Sequence, residues 1–131
     1  MDKLYKVIIA GSRTYNDSDF LFKKMDFLLK DKIKNGYKIV IISGTAKGAD
    51  SLGEKYAYCR GFQILRFFPD WDFYGKAAGM IRNKEMAEEA NACVIFFDKD
   101  ISKGSEGMRN LCIKFKIPYR SYLNNKLYKY S

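Results

Sequence analysis

Ile39-Val40-Ile41-Ile42-Ser43-Gly44-Thr45-Ala46-Lys47-Gly48-Ala49-Asp50-Ser51-Leu52 is the stretch on which the reading of this chain turns. Four consecutive β-branched residues, Ile39 to Ile42, make a strand that can be buried on both faces, as in a parallel sheet. The run then breaks into small residues with glycines at 44 and 48. Beyond them Leu52, Tyr56 and Cys59 recur at helical spacing. A strand, a glycine turn and a helix start aim backbone N–H groups and the positive end of the helix dipole at an anion. Gly44 and Gly48 admit a phosphate without a Cβ in the way, and Ser43, Thr45 and Lys47 add donors. A tight βα turn that binds nothing has the same appearance, because a lone glycine turn is a weak signal.

The pattern extends to both sides. Lys6 to Ala10 reads as a first buried strand, followed by Gly11-Ser12-Arg13. Asp17 or Ser18 can cap a helix whose apolar side is marked by Phe20, Met25, Phe27, Leu28 and Ile33, stopping at Asn35-Gly36. Phe62 to Phe67 reads as a third strand and residues 70–79 as an aromatic loop. A helix follows from about Ala77 to Ala90. Ala92 to Phe97 is a fourth strand with Asp98 at its end, Lys99 to Gly107 a polar loop, Met108 to Phe115 a helix and Ile117 to Tyr122 a last strand. The expected domain is residues 1–123, with 124–131 as a C-terminal tail that reads equally as strand, helix or disorder. The β-α alternation argues for an α/β fold, a single Rossmann-like doubly wound parallel sheet of five strands in order 3-2-1-4-5 with helices on both faces. A ligand site in such a sheet lies beyond the strands' carboxyl ends, where strand order reverses. Here that point is between the first and fourth strands.

Composition narrows the function. The chain has 131 residues, enough for one core, and no apolar run long enough to span a bilayer. The N-terminus leads directly into a strand, so a cytoplasmic protein with no membrane partner is the expectation. Cys59, Cys93 and Cys112 lie far apart in apolar contexts and read as buried free thiols, with no disulfide frame and no metal site. The absence of histidine removes Ser-His and Cys-His catalysis and most zinc sites. No cofactor is implied. The net charge of +9 suits anionic partners, either phosphorylated small molecules or nucleic acid. The lysines are spread along the chain, which also suits a solvated surface.

Four segments gather at the predicted ligand edge. Arg13 offers a forked donor for phosphate or carboxylate, or else closes the sheet end. Arg82, in Gly79-Met80-Ile81-Arg82-Asn83, is a cation near a helix start, a conflict that a bound anion relieves; an exposed surface arginine is the alternative. Trp71, Phe73 and Tyr74 can stack on a base or plug the core, and Tyr74 is the one assigned to ligand. Ser102, Gly104 and Ser105 make a second anion nest or a surface loop. Asp50 and Asp98 are the weak catalytic candidates, able to bind ribose hydroxyls or act as a base, and Asp50 can equally bond within its own turn. Glu54, Glu85 and Glu106 fit solvated helix faces.

The ordered combination of Val7 to Arg13, Ile42 to Asp50, Phe68 to Gly79 and Ile81-Arg82-Asn83 resembles the YspA-like branch of the SLOG superfamily, over nearly the whole chain. That superfamily also contains the "lonely guy" phosphoribohydrolases and DNA-processing proteins. The resemblance implies a Rossmann-like fold binding nucleotides or nucleotide-derived ligands, in bacteria or phages, with signalling nucleotides as proposed ligands. It carries over Gly11, Ser12 and Arg13, then Ser43, Gly44, Lys47, Gly48 and Asp50, then Gly79, Arg82 and Asn83. The phosphoribohydrolases' PGGxGTxxE stretch is not matched: residues 102–110 lack the double glycine and the catalytic glutamate. The leading expectation is therefore a module that senses or sequesters a nucleotide-derived ligand, such as an ADP-ribose-like molecule. The alternatives are a nucleotide N-glycosidase and a single-strand nucleic-acid binder. A homodimer or higher homo-oligomer is an expectation from the abundant aromatics and the self-association of relatives.

Overall fold

The computed structural model describes residues 3–99 and 103–128. One sheet organises it. β1 (Leu4–Gly11), β2 (Lys38–Ser43), β3 (Gln63–Arg66), β4 (Ala92–Phe97), β5 (Tyr119–Leu123) and β6 (Lys126–Leu127) lie in the order β3-β2-β1-β4-β5-β6. The first five strands are mutually parallel, in the expected order, and β6 adds an antiparallel edge to β5. The helices are α1 (Ser18–Lys34), α2 (Ala49–Arg60), α3 (Trp71–Tyr74), α4 (Ala78–Glu89) and α5 (Lys103–Lys114), with a 3-10 turn at Gly75–Ala77.

Strand side chains alternate between two cores. Val7, Ile9, Ile39, Ile41, Val94 and Phe96 pack with α1 and α2. Ile8, Ala10, Ile42, Cys93, Ile95 and Phe97 pack with α4 and α5. The near-continuous apolar runs of β1, β2 and β4 are thus what a sheet covered on both faces requires. Asp17 caps α1, its carboxylate accepting from Phe20 N–H at 3.0 Å. Gly61, left-handed, ends α2.

Several expectations are corrected. The buried stripe of α1 is Leu21, Met25 and Leu29, at every fourth residue, whereas Phe27 and Ile33 are exposed. Phe27 is covered instead by the Lys24 and Lys30 ammonium groups. Residues 70–79 are not a loop: Asp70 caps α3 by accepting from Phe73 N–H at 3.1 Å, and the chain continues through the 3-10 turn into α4. α5 starts at Lys103, so Gly104 to Gly107 are helical. Cys93 and Cys112 are buried, but Cys59 faces solvent near the end of α2. Trp71, Phe73 and Tyr74 are all exposed and plug nothing. Among the described residues no helix is long and apolar enough to cross a membrane.

Candidate functional site

The carboxyl ends of β1 and β4 are drawn together past their last paired residues. Gly11 at φ +155° lies so close to Phe96 that a Cβ would be 1.9 Å from its carbonyl oxygen. The next residue, Ser12, donates its N–H to the same carbonyl at 2.9 Å. The Ser12 carbonyl in turn accepts from Ala49 N–H, the first residue of α2, at 3.1 Å. The β1 exit therefore forms the hub between β4 and α2, at the point where strand order reverses.

Around this hub opens a hollow of about 580 Å³, within the range of small-molecule sites. Gly11, Ser12, Arg13 and Thr14 come from the β1 exit, and Ala46 and Asp50 from the β2–α2 connection. Arg82, Asn83 and Met86 come from α4, Asp98 and Lys99 from the β4 exit, and Gly104, Ser105 and Met108 from α5. The fold thus brings together Gly11, Ser12, Arg13, Asp50, Arg82, Asn83, Asp98, Gly104 and Ser105 of the sequence-derived set. Ser43, Gly44, Thr45, Lys47, Gly48, Tyr74 and Gly79 stand outside the lining. Ser102 lies outside the described residues.

The motif that opens the sequence reading serves chiefly as a brace. Ser43 is buried; its hydroxyl donates to Glu54 Oε2 at 2.6 Å and accepts from Thr45 N–H at 3.0 Å. Ala46 N–H donates to Asp50 Oδ2 at 3.1 Å. Gly48, at φ +76°, presses on the β1 exit, where a Cβ would meet Ser12 O at 2.2 Å. The amides of Thr45, Ala46 and Ala49 are already engaged within the protein. These partners are invisible in the sequence, where the same residues read as a cradle.

Arg13, Arg82 and Lys99 bring positive charge to the hollow. Arg82 is half-buried in the second turn of α4. Its Nη1 donates to the Gly44 carbonyl and its Nε to Asn83 Oδ1 at 2.9 Å. Burial lowers its pKa, the Asp50 carboxylate opposes that, and the Arg13 charge adds to it. Arg13 is exposed and has no hydrogen bond or ion pair among the described residues. Its charge is felt at both Asp50 and Arg82. Asn83 Nδ2 reaches the Gly104 carbonyl at 3.4 Å, tying α4 to the first turn of α5.

The two carboxylates differ. Asp50 is 6% exposed, and burial pushes its pKa above the ordinary value despite the Ala46 N–H bond and Arg82. Asp98 accepts from the Thr14 hydroxyl and from its neighbour Lys99 N–H at 2.7 Å. The Thr14 bond, ahead of the Lys99 amide, holds Asp98 below the usual carboxylate range. Thr14 and Lys99 are lining residues that the sequence reading missed. Their positions next to Arg13 and Asp98, at two strand ends flanking the switch point, were the available signal. Among the described residues no three His, Cys, Asp or Glu side chains gather as a metal set.

Comparison with known proteins fits this architecture. The chain belongs to the YspA, cpYpsA-related SLOG family, whose model, YAcAr, matches residues 5–74. The matched segment runs from β1 through α3; the α4 and α5 walls of the hollow lie beyond it. The chain is 32% identical over 97 residues to the Gene 61 protein of Mycobacterium phage D29, covering 70% of this chain and 75% of that protein. Its fold is similar to that of DNA processing protein A (DprA) from Streptococcus pneumoniae, with a TM-score of 0.51 and 17% identity. That similarity covers 89% of this chain, which spans 58% of the DprA chain.

Proposed function

We propose that the hollow binds a nucleotide or nucleotide-derived ligand, held by its phosphate. One observation carries this reading: Arg13, unpaired among the described residues, and a half-buried Arg82 face one hollow at the switch point of a Rossmann-like sheet. Guanidinium groups suit phosphate because their planar fork gives two parallel donors. Arg82 is held ready by Gly44 and Asn83, so little side-chain freedom is lost on binding. Ser12, Ser105 and the Asn83 amide supply the polar groups that orient a sugar. Of the other cations among the described residues, Lys99 alone lines the hollow. Lys3 and Lys32 instead sit over the Tyr5 and Tyr37 rings at the opposite, amino ends of the strands. That distribution favours a small phosphorylated ligand over a nucleic-acid strand.

Calorimetry across nucleoside mono- and diphosphates, ADP-ribose and an oligonucleotide tests the reading. At least one small nucleotide is expected to bind. Arg13→Ala should weaken it about tenfold or more, the effect of a charged hydrogen bond worth about 1.5–3 kcal/mol, with the melting temperature unchanged. Silence across the panel, or binding by the oligonucleotide alone, sinks the proposal.

A second reading has its own support. Asp50 and Asp98 line one hollow, and their surroundings push their pKa values in opposite directions, the pattern of an acid and a base paired for catalysis. An N-glycosidic bond broken there would release a free base. Chromatography after incubation with the bound nucleotide decides between capture and cleavage. Intact nucleotide at high protein concentration leaves only binding.

A further inference from the structure

We infer that Trp71 is the stacking platform for the ligand's base, an assignment that rests on the nucleotide reading above. Trp71 opens α3, which is turned back on α4 by the Gly75–Ala77 turn. The far edge of its indole, Cη2, comes to 3.6 Å from the place where a Gly79 side chain would begin. Arg82 Nη2 comes to 3.9 Å from the same place. The indole edge and the guanidinium thus both come within van der Waals distance of one point above Gly79, and Arg82 carries that place to the rim of the hollow.

The hydrogen bonding points the same way. Nε and Nη1 of Arg82 are used by Asn83 and Gly44. Nη2, the Arg82 nitrogen nearest that point above Gly79, carries no hydrogen bond to the described residues. A phosphate there and a ring on the indole correspond to the two ends of a nucleoside monophosphate, joined through one sugar. The neighbouring aromatics are placed differently. Phe73 and Tyr74 are engaged with each other edge-to-face, ring centroids 4.7 Å apart, and neither approaches Gly79. The residue that sequence reading assigns to ligand contact, Tyr74, is therefore replaced by Trp71. Its exposure of 51% is the surface a base would cover, since aromatic faces attract planar π-systems.

Trp71 is the single tryptophan in the chain, so its emission reports on this position alone. The probes are adenosine monophosphate, ribose 5-phosphate and inorganic phosphate, measured by fluorescence and calorimetry. Adenosine monophosphate should quench Trp71 and bind more tightly than ribose 5-phosphate. Trp71→Ala should weaken adenosine monophosphate about 5- to 100-fold, the worth of one stacked base, and leave ribose 5-phosphate unchanged. Trp71→Phe should restore most of the loss. Gly79→Leu should weaken adenosine monophosphate with the helical circular dichroism intact.

Adenosine monophosphate binding with unaltered Trp71 emission overturns the inference and leaves the nucleotide reading standing. So does an equal loss of both sugar phosphates in Trp71→Ala. A third such outcome is a Trp71→Ala variant that changes sedimentation but not affinity, since the indole would then be covered by a second copy. If no probe binds, the Trp71 assignment falls, and the wider nucleotide panel decides the nucleotide reading separately.

Discussion

Gly48 holds φ +76° and ψ −125°, in a region that side chains rarely enter, with the β1 exit pressed against its α-carbon. Gly48→Ala adds strain and displaces the Ser12–Arg13 backbone, at a cost of at least about 2 kcal/mol in urea denaturation. Asp50 gives a different signature. Burial raises its folded pKa above the ordinary 3.8, so the folded state keeps its proton to higher pH than the unfolded state does. Between those two values the unfolded chain binds fewer protons, and stability from this residue falls as pH rises. Subtracting the Asp50→Asn stability profile from that of the natural protein should therefore give a difference that declines upward from about pH 3.8. A flat or rising difference contradicts the burial. Asp98 shifts in the opposite direction, so the comparison must be made residue by residue and not on the total curve.

Among elements, α1 and α2 are joined by Asp26. Its carboxylate accepts from Tyr56 Oη at 2.8 Å and is gripped by Arg60 Nε and Nη2 at 3.0 and 2.8 Å. Tyr56→Phe removes one bond while Arg60 keeps the carboxylate satisfied, so a loss of about 1 kcal/mol is expected from chemical denaturation. The order of the five parallel strands was legible because buried runs alternate with amphipathic ones and crossover rules leave few topologies. What escaped was short. Asp70 signals the start of α3, but the aromatics and glycines after it read as a loop. Gly104 and Gly107 obscure the first turns of α5 for the same reason. The Asn124-Asn125 pair, both left-handed, makes the tight β5–β6 turn and, of the strand, helix or disorder open for the tail, gives a short strand. The position of the hollow was legible from the switch point. The side chains that line it were less so, because Ser43 and Gly44 satisfy Glu54 and Arg82 across distances that sequence spacing does not encode.

Over the whole molecule, the segment after β5 reaches back to the beginning of α1. Asn125 Oδ1 accepts from Tyr15 Oη at 2.9 Å, and its Nδ2 donates to Asp17 Oδ2 at 2.6 Å. Tyr15 is buried, which together with the Asp17 charge holds its proton well above the usual range. Asn125→Ala leaves that hydroxyl without its acceptor and should cost about 1–3 kcal/mol. In a Tyr15→Phe background the same change should cost measurably less, and the double-mutant cycle reads the coupling directly. These two bonds join residues 110 and 108 positions apart, and they bear on how the protein is made. As a ribosome extrudes the polypeptide, β1 and the α1 cap emerge early, yet the partner of Tyr15 follows only after nearly every other element. Until Asn125 clears the exit tunnel, the nascent chain must therefore leave the Tyr15 hydroxyl, one residue past Thr14 of the hollow, without this acceptor.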